Sequence, residues 1–426
     1  MIRILKYGET PEKEIFARDP AVTDVAATVS EIIANVRQNG DKALLDYCEK
    51  FDGVRPEPLL VSPEEIDEAL TLVEPEFIAV LEKAADNIRR FHACQKRTGF
   101  ILNEQKGVVC GQKIIPMERA GLYVPGGTAA YPSSVLMDSI PAKIAGVKDL
   151  CITTPPNKEG KINPAILAAA KVAGVDHIYK VGGAQAVAAL AYGTESIPRV
   201  DKIVGPGNAF VAEAKRQVYG QVSIDMVAGP SEILIISDGK SDPEVVAADL
   251  LSQAEHDKMA TAVLLTDSPA LAEAVQQAIE RQLELLERRE IARVSIENNG
   301  KIILTKDIAE AVELSNALAP EHLEVCVDEP FAWLDAIKHA GSIFLGRHCP
   351  EALGDYLAGP NHTLPTSGTA RFSSPLSTDD FIKKSQYTYF TPEALAAVAE
   401  DIALFARKEG LTGHARSALI RSERQS

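Results

Sequence analysis

The 426-residue chain lacks the cysteine spacing of a thiolate metal site. Its six cysteines are far apart and form no CxxC pair; they are Cys48, Cys94, Cys110, Cys151, Cys326 and Cys349. This spacing argues against a thiolate zinc site and against a disulfide framework. We therefore expect free, mostly buried thiols in a reducing compartment, which for this chain means a cytoplasmic location.

Long apolar runs are also missing. No segment approaches about 18 uninterrupted apolar residues, so we expect no transmembrane helix. Charges interrupt every apolar stretch of the N-terminal segment MIRILKYGETPEKEIF, so we expect no signal peptide. Basic residues are few, because 44 Lys and Arg stand against 60 Asp and Glu and give a net charge of -16. This acidity argues against a nucleic-acid partner or an anionic membrane surface, and it is compatible with a small-molecule enzyme.

The hydrophobic pattern changes along the chain. Residues from about 20 to 97 have apolar positions at helical spacing, as in VAATVSEIIANV and FIAVLEKAADNIRRF, and Asn39-Gly40 and Asp52-Gly53 predict helix ends. From about 107 onward, short β-branched runs alternate with Ala-rich helical segments. The predicted strands are DLCITT, HIYKV, KIVG, EILIIS, TAVLLT, KIILT, LEVCV and SIFLG. The predicted helices include NPAILAAAKVAG, AQAVAALAYG, PEVVAADLLSQAEHD and DIAEAVELSNALA.

Strands that alternate with helices are typical of parallel sheets with crossover helices. We predict an α/β fold with two Rossmann-like, incomplete parallel-sheet domains and helical N-terminal and C-terminal extensions. The predicted parts are a helical region over 1–106, a first α/β domain over 107–237, a second over 238–377 and a helical tail over 378–426. The tail either packs on its own subunit or crosses to a partner subunit, and the sequence is compatible with both.

One polar pair ends the helix PEVVAADLLSQAEHD. Gln253 and His256 are three residues apart and share a helix face, so an amide oxygen and an imidazole can bind one metal ion there. A solvent-capped polar helix end explains the same spacing. Ser241 and Glu244 predict a capping box at the start of this helix, with Pro243 in its first turn.

A second pair, Glu321-His322, stands where a predicted helix meets the strand LEVCV. The pair gives two proton acceptors within one loop. Histidine titrates near neutrality, which suits removal of an alcohol proton as hydride leaves. A purely structural histidine is an equal alternative from the dipeptide alone.

Two more loops combine an acid with a histidine. Asp355 and His362 lie in a segment punctuated by glycine and proline, and Glu409 and His414 flank Gly410 in the tail. Such punctuation suits a binding loop. Asp355 is also compatible with an Asx turn, and His414 with a helix cap.

Glycine-rich turns occur in YVPGG, VGGAQ, GPGN and GPS, each near a predicted strand. None of them is a GxGxxG fingerprint, so a standard Rossmann nucleotide site is not supported. Glycine turns nevertheless allow a ligand to approach the backbone closely.

Together these segments resemble the histidinol dehydrogenase family. The matching stretches run in family order from about 118 to 417: ERAGLYVPGGTAAYPSSVLM, VGGAQAVAALAYGTESIPRVDKIVGPGNAFV, SIDMVAGPSEILI, DLLSQAEHD, APEHLEV, GDYLAGPNHTLPTSGTARF and EGLTGHARS. The resemblance implies one Zn²⁺ per subunit held by Gln253, His256, Asp355 and His414. It implies Glu321 and His322 as proton acceptors, and NAD contacts from Tyr123, Gln185 and Asn208. The implied substrate contacts are the four zinc ligands together with Ser231, His322, His362 and Glu409.

The activity implied by the resemblance is a four-electron, NAD-dependent oxidation of L-histidinol to L-histidine through bound L-histidinaldehyde, the last step of histidine biosynthesis. Zinc would position the substrate, which can supply much of a rate enhancement. His322 would accept a proton in each of two hydride transfers, and Glu321 would activate the water that hydrates the aldehyde. The resemblance also implies a homodimer with exchanged segments, in which His414 and Glu409 complete the active site of the partner subunit.

Three other functions are compatible with parts of the pattern. A family relative that oxidises another small amino or sulfonated alcohol would share the zinc and the base, although Ser231, His362 and Glu409 favour histidinol because sites built for polar groups reject analogues that lack them. A zinc hydrolase would use Glu321 to activate metal-bound water, but it leaves the NAD positions unexplained. A non-catalytic metal-binding protein would not need the Glu321-His322 pair.

Overall fold

The computed structural model describes residues 1–18, 25–126 and 130–423. The chain divides into two compact units: the first comprises Met1–Gln95 and Glu118–Phe381, and the second comprises Lys96–Met117 and Ile382–Ser426. Of the predicted glycine turn YVPGG, Gly127 lies outside the described residues. In the part of the chain that the structure describes, no helix has the length and apolar character needed to cross a membrane.

The strands of the described residues are numbered along the chain. They are β1 (Arg3–Lys6), β2 (Phe100–Leu102), β3 (Val108–Pro116), β4 (Arg119–Tyr123), β5 (Asp149–Thr154), β6 (His177–Lys180), β7 (Lys202–Val204), β8 (Ser223–Ile224), β9 (Glu232–Ser237), β10 (Thr261–Thr266), β11 (Lys301–Leu304), β12 (His322–Cys326), β13 (Ser342–Leu345) and β14 (Ile382–Phe390).

The α-helices are numbered in the same way. They are α1 (Glu12–Ile15), α2 (Ala26–Asp52), α3 (Pro63–Leu72), α4 (Pro75–Ala93), α5 (Pro132–Ala145), α6 (Pro164–Ala173), α7 (Gly183–Tyr192), α8 (Ala209–Val218), α9 (Pro243–Ala254), α10 (Pro269–Leu283), α11 (Arg289–Asn298), α12 (Ile308–Leu318), α13 (Glu351–Tyr356), α14 (Pro392–Lys408) and α15 (Thr412–Glu423). Short 3₁₀ helices span Pro330–Ala336, Thr369–Arg371 and Thr378–Phe381.

The first unit contains two sheets in which every neighbouring pair of strands is parallel. One has the order β6-β5-β4-β7-β8 and the other has the order β1-β11-β10-β9-β12-β13. In the six-stranded sheet, Ile233 and Ile235 of β9 pack into one apolar cluster, while Leu234 and Ile236 pack into another. Helices therefore cover both faces of this sheet, which explains why its strands are continuous apolar runs.

The second unit has an antiparallel sheet of order β14-β3-β2 and the helix pair α14 and α15. Ile382 pairs with Pro116 and Phe390 pairs with Val108, so β14 runs along the whole of β3. The two helices share a small apolar cluster around Ala403, Ala406 and Ala415.

The predicted α/β class is confirmed, and all eight predicted strands form. The strand EILIIS is β9 of the six-stranded sheet, so the change of sheet lies before Glu232 and not after Ser237, where the sequence placed the domain boundary. Segment 107–117 joins the antiparallel sheet, and the tail contributes the strand β14 before its first α-helix, where the sequence predicted only helix. The N-terminal region likewise contributes β1 to a parallel sheet, because that strand pairs with β11.

The cap expected at the start of α9 also needs correction. Asp242, not Ser241, caps α9, because its side chain accepts a hydrogen bond from the N–H of Glu244. Ser241 instead donates its hydroxyl to the carbonyl of Cys326. At Gly40 the backbone leaves the helical conformation, with φ 52° and ψ -133°, so α2 consists of two helices joined at a kink and the predicted end at Asn39-Gly40 is confirmed. The predicted end at Asp52 is confirmed as well, with Gly53 in the left-handed conformation that a helix end favours.

Candidate active site

The candidate base pair lies at the amino ends of the strands of the six-stranded sheet. His322 is the first residue of β12, and its Cα is paired with Ile233 of β9 and with Ser342 of β13. Ser231 immediately precedes β9, and Gln253 lies in the last turn of α9. This placement differs from the usual rule for open α/β sheets, in which ligands bind at the carboxyl ends of the strands.

The backbone of one residue, Glu232, orients both candidate bases. Its N–H donates to Oε2 of Glu321 at 2.7 Å, and its carbonyl oxygen lies 2.9 Å from Nδ1 of His322. A carbonyl only accepts, so this contact places the proton of the neutral imidazole on Nδ1. Nε2 of His322 is buried and has no hydrogen-bond partner among the described residues, which leaves it available as a proton acceptor.

Burial changes the acid–base behaviour of this pair. Desolvation lowers the pKa of His322 to about 4, so the imidazole is neutral at physiological pH. Desolvation also raises the pKa of Glu321 well above the ordinary range, and the nearby carboxylates of Glu232, Asp355 and Glu351 raise it further. The first shift keeps His322 in the unprotonated form that a base requires, whereas the second makes the Glu321 carboxylate a stronger base that is present only above its raised pKa.

A histidine and an aspartate lie close together beside His322. Nδ1 of His362 lies 3.4 Å from Oδ1 of Asp355, and Nε2 of His362 lies 3.2 Å from the hydroxyl of Ser134. Burial alone would raise the pKa of Asp355, but the hydrogen bond and charge of His362 hold it below its usual value. Asp355 is therefore ionised and can accept a cation.

The two candidate ligands on α9 have the donor chemistry of a metal site. Neither side-chain amide atom of Gln253 has a hydrogen-bond partner within the described ranges, although the residue is buried. A buried amide without partners is costly, so a ligand for it is expected. Burial lowers the pKa of His256 while the charge of Asp355 opposes that shift, so the imidazole can offer a nitrogen lone pair.

Glu351 is a site residue that sequence reasoning missed. Its carboxyl is buried, Oε2 accepts a hydrogen bond from Ser252 at 3.1 Å, and burial together with Asp355 raises its pKa to about 8. His322, Glu351 and Asp355 offer donor atoms that all lie within 4.8 Å of one another. His322 and Asp355 also line a pocket with about 510 Å³ of empty space, whose other walls include Phe344, Asn361 and His362.

The candidate NAD contacts lie at the carboxyl ends of the five-stranded sheet. Tyr123 ends β4, and its hydroxyl accepts a hydrogen bond from the N–H of Gly183 at 3.1 Å. Gln185 is buried in the first turn of α7. Asn208 caps α8 by accepting from the N–H groups of Phe210 and Val211. Two helix N-termini thus begin beside these residues, and such ends favour anionic groups such as phosphates.

The remaining candidates, Glu409 and His414, belong to the second unit. Glu409 is the C-cap of α14 and His414 lies in the first turn of α15. Both line an open groove together with Ile402 and Phe405. Their exposed side chains are thus available to a ligand or to another chain.

Comparisons with known proteins agree on one family. The family model described as histidinol dehydrogenase matches residues 17–422. A histidinol dehydrogenase of Clostridium acetobutylicum is 52% identical over 426 residues, covering 99% of each chain, and one of Bacillus cereus is 58% identical over 401 residues, covering 94% of this chain and 93% of the relative. The chain belongs to the histidinol dehydrogenase family. A crystal structure of histidinol dehydrogenase from Elizabethkingia anophelis superposes with a TM-score of 0.94 at 39% identity, covering 100% of this chain and 98% of that one.

Membership of the histidinol dehydrogenase family makes this chain an oxidoreductase. The first unit brings Gln253, His256, Asp355, Glu321 and His322 into one neighbourhood, linked by the mutual electrostatic effects of their side chains. The dipeptide motif alone gave no sign of Glu232 or Glu351, because their roles depend on strand register and on the start of a six-residue helix. The one available signal was the fully apolar context of EILIIS, in which an acid at the first position is unexpected.

Proposed function

We propose that this chain oxidises L-histidinol to L-histidine with two NAD, through bound L-histidinaldehyde, as the last step of histidine biosynthesis. The observation that carries the proposal is the neutral, buried His322, whose Nε2 has no hydrogen-bond partner in the described structure and whose Nδ1 is held by Glu232. The histidinol dehydrogenase relatives support the substrate assignment.

Each half-reaction requires one proton acceptor. In the first, Nε2 of His322 takes the hydroxyl proton while the carbinol hydride passes to NAD. Water then adds to the aldehyde, and Glu321 takes a proton from that water. In the second, His322 accepts the proton of the hydrate as a second hydride leaves. In total, four electrons pass to two NAD and one water is consumed. His322 must release its first proton before the second hydride transfer.

We propose that Gln253, His256, Asp355 and His414 hold one Zn²⁺ per subunit. The donor set fits, because the Gln253 amide lacks partners in the described structure, Asp355 is ionised and the pKa of His256 is lowered. Two nitrogens and two oxygens form a borderline site that suits zinc. When bound, zinc supplies a fixed Lewis-acidic point that holds the substrate's nitrogens. Ser231, His362 and Glu409 would bind the substrate's remaining polar groups.

We propose that NAD binds at Tyr123, Gln185 and Asn208. The N-termini of α7 and α8 would face its phosphates, since backbone N–H groups at a helix start bind anions. The hydrogen bond from Gly183 to Tyr123 would hold the glycine turn open to the cofactor.

We further propose a homodimer in which the partner subunit contributes Glu409 and His414 to each active site. Mixing inactive His322→Asn and His414→Asn chains tests this idea. If sites are shared, one site in each heterodimer is intact, and random exchange restores about a quarter of wild-type activity. Absence of any recovery, with subunit exchange verified by mass, would contradict the shared site.

We place the protein in the cytoplasm, because all six cysteines are free thiols and the buried Cys48, Cys151 and Cys326 have strongly raised pKa values.

The central test of the proposed reaction is to count NADH per histidinol consumed, with and without a chelator. Two NADH per substrate, lost on chelation, is the expected result, and one NADH per substrate would sink the two-step mechanism. Rates on other small amino or sulfonated alcohols, measured in parallel, decide between histidinol and the alternative substrate class.

A further inference from the structure

Glu351 is a buried acid of the first unit that the proposed reaction does not use. Its side chain is 3% exposed, and Oε1 has no hydrogen-bond partner among the residues described, while Oε2 is held by Ser252. Oε1 lies 4.0 Å from Nε2 of His322, which is another buried polar atom that lacks a partner in the described chain. Two such atoms facing one another indicate a missing ligand, since orphaned buried polar groups are costly.

The chemistry of the donors identifies the ligand. Nε2 of His322 offers a lone pair, because its ring proton is on Nδ1, and both Glu351 and Asp355 offer carboxylate oxygens. The three donor atoms lie within 4.8 Å of one another. A divalent ion with bonds of about 2.0–2.2 Å separates its ligands by about 3–4 Å, so the site closes with a contraction of at most about 1–2 Å.

We propose that His322, Glu351 and Asp355 form a second divalent-cation site, and that a cation bound there occupies the nitrogen that must accept the substrate's proton. Asp355 has two carboxylate oxygens and can serve both this site and the proposed zinc site, as bridging carboxylates do in two-metal centres. One imidazole and two carboxylates suit Mn²⁺ as well as Zn²⁺. Excess divalent metal is therefore an inhibitor of the zinc-loaded enzyme.

The proposed inhibition of turnover rests on the proposed function of His322, whereas the proposed binding of a cation does not. The test uses full-length enzyme loaded with one Zn²⁺ per chain and titrated with Mn²⁺, with free Mn²⁺ counted by electron paramagnetic resonance and zinc retention measured in the same samples. Zinc stays in place because nitrogen-containing sites bind it more tightly than manganese. We expect one Mn²⁺ per wild-type chain and none for Glu351→Gln. Glu255→Gln, which removes a nearby charge without removing a donor, should still bind one.

Turnover is measured on the same samples. Mn²⁺ should inhibit the wild type at least tenfold more strongly than Glu351→Gln, each compared with its own zinc-loaded rate without added Mn²⁺. If zinc-loaded wild type takes up no Mn²⁺, or Glu351→Gln takes up as much, the cation site is refuted. If Mn²⁺ binds without slowing turnover while two NADH per histidinol are still produced, the blocking of His322 is refuted and the proposed function stands. Should Glu351→Gln fail to fold, as judged by circular dichroism, Glu351→Asp keeps the charge, shortens the reach and should weaken Mn²⁺ binding about tenfold.

Discussion

The carbonyl oxygen of Glu232 lies 2.9 Å from Nδ1 of His322, and this single contact fixes which imidazole nitrogen can act as a base. Because Glu232 and His322 are on neighbouring strands, the register of β9 against β12 determines the tautomer. The carboxyl of Glu232 is itself held by Arg18, whose Nε lies 3.0 Å from Oε1. The reactive nitrogen is thus set by the sheet rather than by a mobile loop.

Replacing the base should stop proton removal without unfolding the protein. We expect His322→Asn to lower kcat by about 10²–10⁴-fold, the usual contribution of a general base. NAD affinity, measured by fluorescence titration, should change little, because Tyr123, Gln185 and Asn208 lie on β4, in α7 and at the start of α8, and none of them is in the six-stranded sheet. A variant that keeps more than about a tenth of wild-type kcat would show that His322 is not the base.

The rate of the second oxidation should fall at acid pH because Glu321 becomes protonated. Its pKa is raised by burial, so the carboxylate needed for hydration is lost as pH falls through that raised value. His322, with a pKa near 4, stays neutral over the same range and contributes no limb near pH 6.5. We expect Glu321→Gln to be slow but insensitive to pH when L-histidinaldehyde is the substrate. An unchanged acid limb in Glu321→Gln, followed as kcat/KM against pH, would assign the limb to another group.

The carboxyls of Asp249 and Glu324 should stabilise the start of α13, which is part of the candidate site. Glu324 is fully buried, hydrogen-bonds to Asp249 and accepts from the N–H of Glu351 at 2.7 Å, where α13 begins. Burial and then Asp249 raise the pKa of Glu324, so it is protonated and a glutamine can replace it. We expect Glu324→Gln to be near wild type in urea unfolding.

The apolar replacement at the same position is the contrasting case. Glu324→Leu leaves the N–H of Glu351 without its acceptor, and we expect the free energy of unfolding to fall by about 1–3 kcal/mol. Metal affinity should fall with it, because α13 carries Asp355. Equal stability of the Gln and Leu variants would show that Glu324 does not stabilise the protein by accepting the hydrogen bond from Glu351.

The loop that leads to Asn208 should depend on the buried ion pair of Lys215 and Asp225. Nζ of Lys215 donates to the carbonyl of Gly205 at 2.9 Å, and Asp225 accepts from the N–H of Gly205 at 2.8 Å. We expect Lys215→Met to cost about 3–5 kcal/mol in unfolding free energy, since it leaves a buried charge without its partner, and to raise KM for NAD. The double variant with Asp225→Asn should be less unstable than Lys215→Met alone, and equal or greater instability would contradict the ion-pair explanation.

The sequence predicts the parts of this molecule whose cause is local. All eight predicted strands form, because β-branched runs in a parallel sheet are buried on both faces and carry a strong signal. Two of the strands that it misses have a distant cause: β3 forms because it pairs with β14, and β1 forms because it pairs with β11. The same distinction holds in the site. Glu321 and His322 are visible as a dipeptide, whereas Glu232 and Glu351 contribute through register and helix position, which no short window of sequence contains.

The two segments of the second unit are synthesised far apart in time, because they are separated along the chain by 118–381. In the described part of the chain, the edge of β3 opposite β2 is paired with β14, which leaves the ribosome after the whole of 118–381 has been made. During translation, the β2–β3 ribbon must therefore wait with one row of backbone hydrogen-bonding groups exposed, a state that favours association with other chains. Completion of the polypeptide, rather than any event in the first unit, is what closes that edge.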